Sequence, residues 1–204
     1  MMQGQLAVST RQRRKPRADV YQFAELSESA KERAREWYRE GALQHEWWRF
    51  IYEDARAVGE MMGIEICDIS FVLHVQGSGA WFDGDYGHAP NSAALVKDHA
   101  PSDGELHEIA AILAGLQMVH GQALFAVIER KRDDSVWIEV TEGEDGAPCL
   151  DEHADKLLRD TLRRFMRWIH GQLEAEYEYQ MSDEVVDEMI EGNEYEFTED
   201  GDRA

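Results

Sequence analysis

The stretch IEICDISFVLHVQGSGAWF, residues 64–82, decides the fold. Its apolar residues Ile69, Phe71, Leu73 and Val75 recur at every second position, which is the period of a β-strand whose side chains alternate between two faces. Gly77-Ser78-Gly79 then provides glycines for a tight turn, where a positive φ is needed. Ala80-Trp81-Phe82 begins a second strand, so the stretch predicts a β-hairpin.

The sequence around this hairpin changes between helical and strand periods. Segments with apolar residues at helical spacing, or with a helix-favouring composition, predict helices over residues 28–40, 45–62, 91–99, 105–120 and 151–179. Alternating segments predict an entry strand at 20–26, a second hairpin from 122–130 and 135–141, and an edge strand at 195–198. We therefore expect an α+β fold in which an antiparallel sheet of two hairpins packs against several helices on one face. A long C-terminal helix and a short acidic terminal element complete it.

Acidic residues outnumber basic ones by two to one. The 204 residues include 42 Asp and Glu and 21 Lys and Arg, for a formal charge of −21. Residues 1–17 carry five Lys or Arg and no acid, which predicts a disordered basic arm. Residues 174–204 carry thirteen acids and one Arg. A chain of this length most economically forms one domain, so we expect a single domain over 18–204 with an acidic C-terminal region over 174–204.

The acidic C-terminal region also contains apolar residues, which a solvated tail would lack. Val185, Val186, Met189 and Ile190 lie at helical spacing after Ser182, a residue type that caps helices. The acids fall mostly on the opposite side, so the segment predicts a folded, one-sided anionic surface. The candidate partner-binding residues are Glu174, Glu176, Glu178, Asp183, Glu184, Asp187, Glu188, Glu191, Glu194 and Glu196.

Such a surface restricts the choice of partner. It repels nucleic acid and anionic membranes, and it attracts cationic protein grooves. Carboxylates one helical turn apart are separated by ~5.4 Å, which is within a factor of two of the phosphate spacing along a DNA strand. The acidic surface therefore has two interpretations: an ordinary solvated face without a partner, or a surface that docks into a positively charged nucleic-acid-binding groove.

The chain carries no signal for a membrane or for secretion. No run of eighteen apolar residues occurs, and the N-terminus lacks the apolar segment of a signal peptide, so we expect a cytoplasmic protein. In that reducing compartment Cys67 and Cys149, which have no CxxC spacing, predict two buried thiols.

Enzyme chemistry has one weak candidate, the segment Asp83-Gly84-Asp85-Tyr86-Gly87-His88. It places two carboxylates and an imidazole in a glycine-rich loop, a composition that suits a divalent cation. The spacing matches no calcium loop, and Asp and Gly are also ordinary turn residues. We favour the turn and keep a metal-dependent hydrolase as the minor alternative. No catalytic residue, metal or cofactor is expected.

Four arginines on the predicted long helix look like a nucleic-acid-binding stripe: Arg159, Arg163, Arg164 and Arg167. In a chain with this excess of acid, we expect them to pair with the protein's own carboxylates or with those of a second copy. A homodimer is thus left open.

Several longer segments carry a further signal. They are Tyr21-x-Phe23-x-Glu25-Leu26, Ala30-Lys31-Glu32-x-Ala34-Arg35-x-Trp37-Tyr38-Arg39-Glu40-Gly41, Glu46-Trp47-Trp48-x-Phe50-Ile51-Tyr52-Glu53-Asp54-Ala55, Glu176-Tyr177-Glu178-Tyr179 and Asn193-Glu194-Tyr195-Glu196-Phe197-Thr198-Glu199-Asp200-Gly201. Through these the chain resembles a family of acidic proteins of uncharacterised function encoded by phages and prophages of proteobacteria, some of them loosely labelled antitoxins.

The resemblance implies a function but brings no catalytic residues. Small acidic phage proteins include anti-restriction DNA mimics and anti-CRISPR proteins. By that analogy we expect a non-enzymatic binding protein that inhibits a bacterial defence or host nucleic-acid-handling protein, such as a nuclease or CRISPR effector. An antitoxin that neutralises a basic toxin is the alternative.

Overall fold

A computed structural model describes residues 19–42, 46–121, 124–131, 135–140 and 150–204. The chain divides into two compact units. The central unit takes the described residues of His45–Gln180, and the terminal unit takes those of Met1–Gln44 and Met181–Ala204. The single domain over 18–204 stays a prediction, and the predicted basic arm at 1–17 lies outside the described residues.

The protein is an α+β protein, as the sequence predicts. In chain order its elements are β1 (Tyr21–Gln22), a 3-10 turn (Phe23–Glu25), α1 (Glu28–Ala42), α2 (Arg49–Met62), β2 (Ile64–Val72), β3 (Gly79–Tyr86), α3 (Ser92–His99), α4 (Gly104–His120), β4 (Ala126–Arg130), β5 (Val136–Val140), α5 (Glu152–Gln180), α6 (Asp183–Gly192) and β6 (Glu196–Phe197). α5, with 29 residues, is the long helix expected near the C-terminus.

The central unit contains a four-stranded antiparallel sheet in the order β2-β3-β4-β5. β2 and β3 pair from Ile64↔Tyr86 to Val72↔Gly79, which confirms the first predicted hairpin. β4 and β5 pair from Ala126↔Val140 to Arg130↔Val136, which confirms the second. The outer ends of its predicted strands, residues 122–123 and 141, lie outside the described residues.

The core of the central unit forms between β3 and α5. Along β3 every second residue is buried, and Phe82 and Tyr86 are almost fully enclosed. The Phe82 ring meets the edge of the Phe165 ring on α5, with 5.9 Å between centroids. An edge-to-face aromatic pair of this kind adds to the stabilisation that comes from burying the rings. The buried residues that alternate along β3 and the apolar face of α5 thus belong to the same core.

Asp103 joins α4 to α5 through its two carboxylate oxygens. Oδ1 accepts the backbone N–H of Leu106 at 3.0 Å, which caps the N-terminus of α4. Oδ2 accepts the indole N–H of Trp168 on α5 at 2.7 Å. One side chain therefore starts one helix and fixes its position against the other. Within the described ranges, no helix is both long enough and apolar enough to cross a membrane.

The prediction that Cys67 is buried is wrong, because this thiol is exposed. The register of β2 against β3 shifts between Ile66 and Asp68, so Cys67 is the extra residue of a β-bulge. Ile66 and Ile69 on either side keep their side chains in the core. The bulge turns the intervening thiol outward. Cys149 lies outside the described residues.

The helix predicted over 45–62 begins at Arg49, so Trp47 and Trp48 precede it. Both indoles pack on the Phe71 ring of β2, at centroid distances of 5.6 and 5.7 Å. Consecutive residues inside a helix point about 100° apart, which would direct one indole away from Phe71. Because Trp47 and Trp48 lie in a turn before α2, both indoles can contact the Phe71 ring.

The terminal unit is held together by a second apolar cluster. β1 pairs antiparallel with β6, with Tyr21 opposite Phe197, so the predicted edge strand over 195–198 is confirmed at its centre. The predicted strand over 20–26 is shorter than expected and continues as the 3-10 turn. Trp37 on α1 packs edge-on against Tyr195 and Phe197, at 5.2 and 5.7 Å between centroids.

Replacement of Gly84 tests the close packing at the bulge. A Cβ atom on Gly84 would lie 2.0 Å from the carbonyl oxygen of Glu65, so we expect Gly84→Ala to lower the free energy of unfolding by about 2 kcal/mol or more. Gly171→Ala is the control, because Gly171 lies inside α5 with open space around it and alanine should stabilise the helix by about 0.5–1 kcal/mol. Urea unfolding of both variants measures the difference. Equal effects of the two substitutions would contradict the packing.

Candidate partner-binding surface

The ten candidate acids do not form one continuous surface on one element. Three of them, Glu174, Glu176 and Glu178, lie on α5 of the central unit. The other seven belong to the terminal unit, on α6 and the segment after it: Asp183, Glu184, Asp187, Glu188, Glu191, Glu194 and Glu196.

α6 forms where the sequence predicts it. The Ser182 hydroxyl accepts the backbone N–H of Val185 at 3.4 Å, and two acids occupy the first turn, where the helix dipole favours negative charge. Val186 and Ile190 are fully buried in the apolar cluster of the terminal unit, together with Phe23. The apolar side of α6 is therefore fixed inside, and its remaining sides carry the acids.

Two of the candidate acids are used inside the protein. Asp187 receives a forked pair of hydrogen bonds from Arg35 of α1, with Nε to Oδ1 at 2.7 Å and the second nitrogen to Oδ2 at 2.8 Å. The Arg35 side chain is only 12% exposed, and the bond to Asp187 raises its pKa above the ordinary arginine value. Asp183 pairs with Arg39, whose Nε also donates to the carbonyl of Met181 at 3.0 Å.

Sequence reasoning missed this pairing, although a signal for it is present. Arg35 and Arg39 are four residues apart on α1, and Asp183 and Asp187 are four residues apart on α6. Residues four apart lie on the same face of a helix. If the two helices run antiparallel, the matched spacings allow both arginines to pair with an aspartate at once. The structure shows this arrangement, with Arg35 on Asp187 and Arg39 on Asp183.

The acids left over on α6 form a stripe, defined here as Glu184, Glu188 and Glu191. Their spacing of i, i+4 and i+7 places them along one exposed face. None of the three contacts a basic side chain in the part of the chain that the structure describes. From the helical rise, the steps along the axis are ~6 Å and ~4.5 Å. Met189 beside the stripe is 43% exposed, so an apolar contact is available next to the charges.

Glu194 and Glu196 follow the helix and are also exposed. Arg203, the one basic residue of the acidic region, does not neutralise them. Its guanidinium lies 4.9 Å from the centre of the Tyr195 ring and 5.7 Å from that of Trp37, and it donates to the backbone carbonyl of Glu196 at 2.5 Å. The aromatic faces hold this cation, and it forms no ion pair with Glu194 or Glu196 in the described structure.

The three acids on α5 make local contacts or none. Glu174 lies 3.4 Å from Nδ1 of His170, and Glu176 accepts a hydrogen bond from Gln180 at 2.8 Å. Glu178 is exposed. These residues therefore do not extend the stripe on α6 along a single helix.

The segment over Asp83–His88 is not the loop that the sequence suggests. Asp83 and Asp85 belong to β3, where they alternate with buried residues. The Asp83 carboxylate accepts the backbone N–H of Arg130 at 2.5 Å, so it serves as a link between strands. Among the residues described, no three His, Cys, Asp or Glu side chains gather in a way that could hold a metal ion.

The arginines of α5 pair with the protein's own carboxylates, as predicted for three of them. Arg159 pairs with Asp155 at 2.7 Å, and Arg163 lies 3.4 Å from Asp160. Arg164 forms ion pairs with two acids of α4, Glu105 at 2.7 Å and Glu108 at 2.8 Å. The Arg164 guanidinium holds the pKa of Glu105 below its ordinary value. Arg167 makes no ion pair within the described ranges.

The fold defines an α+β protein whose central unit contains a four-stranded antiparallel sheet and whose terminal unit presents an anionic helix face on α6. Residues 47–183 match a family described as a domain of unknown function (DUF8835), and the chain belongs to that family. The match covers almost all of the central unit and stops at the start of α6. No curated protein matches the chain. No solved structure matches it either.

Loss of the Arg35–Asp187 pair should loosen the terminal unit. Asp187→Asn removes the charge of the carboxylate that receives both bonds of the Arg35 fork and leaves Glu32, at 3.2 Å, as the carboxylate partner of this poorly exposed guanidinium, so we expect a loss of about 1–3 kcal/mol of stability. Glu188→Gln removes the same charge from the exposed stripe and should change stability by less than about 0.5 kcal/mol. Hydrogen exchange of the Val186 and Ile190 amides reports on both variants. Equal protection in the two would contradict the assignment of Asp187 to an internal role.

Proposed function

We propose that the protein is a non-enzymatic binding protein that inhibits a bacterial nucleic-acid-handling protein by docking its α6 stripe into a cationic groove. The observation that carries the proposal is the division of the acids on α6. Asp183 and Asp187 are taken by arginines of α1, whereas Glu184, Glu188 and Glu191 stay exposed in a row. Internal pairing thus fixes the helix and leaves one charged face available.

The geometry of the stripe suits a groove that normally holds phosphates. Its axial steps of ~6 Å and ~4.5 Å are within a factor of two of the ~3.4 Å per phosphate of one DNA strand. A row of fixed carboxylates can therefore contact several basic side chains of such a groove together. Replacement of the counterions around both surfaces favours the complex and makes it sensitive to salt.

Rigidity distinguishes this stripe from a solvated tail. The Arg35 fork and the buried side chains of Val186 and Ile190 hold α6 in place before any partner binds. A preorganised surface loses less conformational entropy on association. Met189, exposed beside the carboxylates, adds an adaptable apolar contact that a purely electrostatic surface would lack.

The class of target comes from the resemblance to acidic phage proteins described above. DUF8835 is a domain of unknown function and carries no activity that could be transferred to this chain. A nuclease or a CRISPR effector has the required groove, and it is the target class that we propose. A basic toxin would contact the same face, so the identity of the captured partner separates the inhibitor from an antitoxin.

Charge reversal of the stripe tests the docking. Glu184→Lys, Glu188→Lys and Glu191→Lys together should weaken the complex with the purified partner at least tenfold, because three favourable contacts become repulsive. A control variant carries the same charge change at three exposed acids of the central unit: Glu60→Lys, Asp98→Lys and Glu139→Lys. Calorimetric titration at two salt concentrations measures both variants against the unmodified chain.

The proposed function fails if the control weakens the complex as much as the stripe variant does. It also fails if the affinity is indifferent to salt. A competition assay adds a separate criterion: the protein should displace duplex DNA from the partner, and a stable ternary complex with DNA would contradict occupation of the DNA groove.

A further inference from the structure

A concave cavity of about 440 Å³ lies in the central unit, between the start of β3, the start of β5 and the middle of α5. This volume is within the range of small-molecule sites. Polar and aromatic side chains dominate its wall: Ser78, Trp81, Ser135, Arg163, Arg167 and His170. The cavity is separate from the α6 stripe, which belongs to the other unit.

The cavity exists because the sheet opens. β3 pairs with β2 along its whole length, but its pairing with β4 runs only from Tyr86↔Ala126 to Gly84↔Ile128. Beyond that point the bond from the Arg130 amide to the Asp83 carboxylate replaces the regular ladder. The first half of β3 therefore has no strand partner on that side in the described chain. α5 packs under this part of β3, and its residue Met166 lines the cavity.

The charged side chains in the described part of the lining are opposite in sign to the net charge of the protein. Arg163, Arg167 and His170 lie at i, i+4 and i+7 on α5, so they share one face and all three line the cavity. No carboxylate belongs to the described lining, in a chain where acids outnumber bases two to one. The neighbouring acids are Asp160, which lies 3.4 Å from Arg163, and Glu174, which lies 3.4 Å from His170.

Arg167 is the arginine of the cavity that has no ion-pair partner among the described acids, although its charge helps to lower the pKa of Glu105. It is exposed and makes no ion pair with any described acid, whereas Arg159 and Arg164 on the same helix are engaged by Asp155 and Glu105. A guanidinium presents a planar fork of donors that matches the oxygens of a phosphate. Two such forks, on Arg163 and Arg167, face one enclosed space.

The remaining wall suits an aromatic ring. Trp81 lines the cavity from β3, and Arg130 lies 5.4 Å from the centre of its indole ring. A guanidinium held against the indole restricts its orientation, and the same indole contributes to the wall of the cavity. Any nucleobase can stack on an aromatic side chain of this kind, because every base has a π-face.

We propose that this cavity binds a nucleoside phosphate, with its phosphates on Arg163 and Arg167 and its base against Trp81. This binding goes beyond the proposed docking function, because the cavity lies in the central unit and binds through basic side chains, whereas the stripe lies in the terminal unit and is acidic. His170 closes the row as part of the wall, because its Nε2 lies 3.3 Å from the carbonyl oxygen of Val72 and its Nδ1 lies 3.4 Å from Glu174.

Calorimetric titration of the full chain with ADP, pyrophosphate and adenosine tests the proposal. ADP should bind saturably and more tightly than pyrophosphate, and adenosine should bind much more weakly than either. Arg167→Gln should reduce ADP affinity at least tenfold without changing the melting temperature of the unliganded protein, because this side chain makes no internal ion pair. Trp81→Leu should reduce the affinity for ADP and leave that for pyrophosphate unchanged.

Arg159→Gln is the matched control, since it removes the same charge from α5 outside the cavity. It should change ADP affinity less than twofold. The proposal is overturned if ADP shows no saturable binding up to about 1 mM, or if the control weakens binding as much as Arg167→Gln does. Equal affinities for ADP and adenosine would also overturn it, as would equal affinities for ADP and pyrophosphate.

Discussion

The surplus of carboxylates over cations is the constraint on which the rest of the structure depends. With 42 acids and 21 Lys and Arg, at most half of the acids can have a basic partner of their own. Like charges repel, and unpaired carboxylates are costly to bury. Several of the cations form local pairs within one helix, but two also hold helices together, because Arg35 pairs between α1 and α6 and Arg164 pairs between α5 and α4.

This distribution makes two regions exceptional. On α6, Asp183 and Asp187 pair with arginines of α1 and hold the helix in place. The exposed acids of the same helix form the stripe. At the opening of the sheet the reverse occurs, because Arg163 and Arg167 face a cavity whose described lining contains no acid. Each region departs from the local charge balance. Our two proposals account for these departures, with a cationic groove as the partner of the stripe and a nucleoside phosphate as the ligand of the cavity.

Much of the fold could be read from the sequence, because it rests on periodicity. The alternation from Ile64 predicted β2 and β3, and the apolar stripe over 151–179 predicted α5. The bulge at Cys67 could not be predicted, since one extra residue leaves the composition of the strand unchanged. The Asp83–His88 segment was misread because turn residues also occur in strands where a close approach requires glycine, as at Gly84. The cavity depends on the point at which β3 and β4 stop pairing, and the local sequence does not indicate that point.

One pair of titrations tests the central claim most directly, namely that the paired charges leave one anionic face and one separate cationic cavity. Amide chemical shifts of the isotope-labelled full chain would be followed by NMR during addition of a short oligolysine peptide, and in a second sample during addition of pyrophosphate. We expect oligolysine to shift the amides around Glu184, Glu188 and Glu191, and pyrophosphate to shift those around Ser78–Trp81 and Arg163–His170. Shifts spread over the whole surface, or the same set of residues for both additions, would contradict the account.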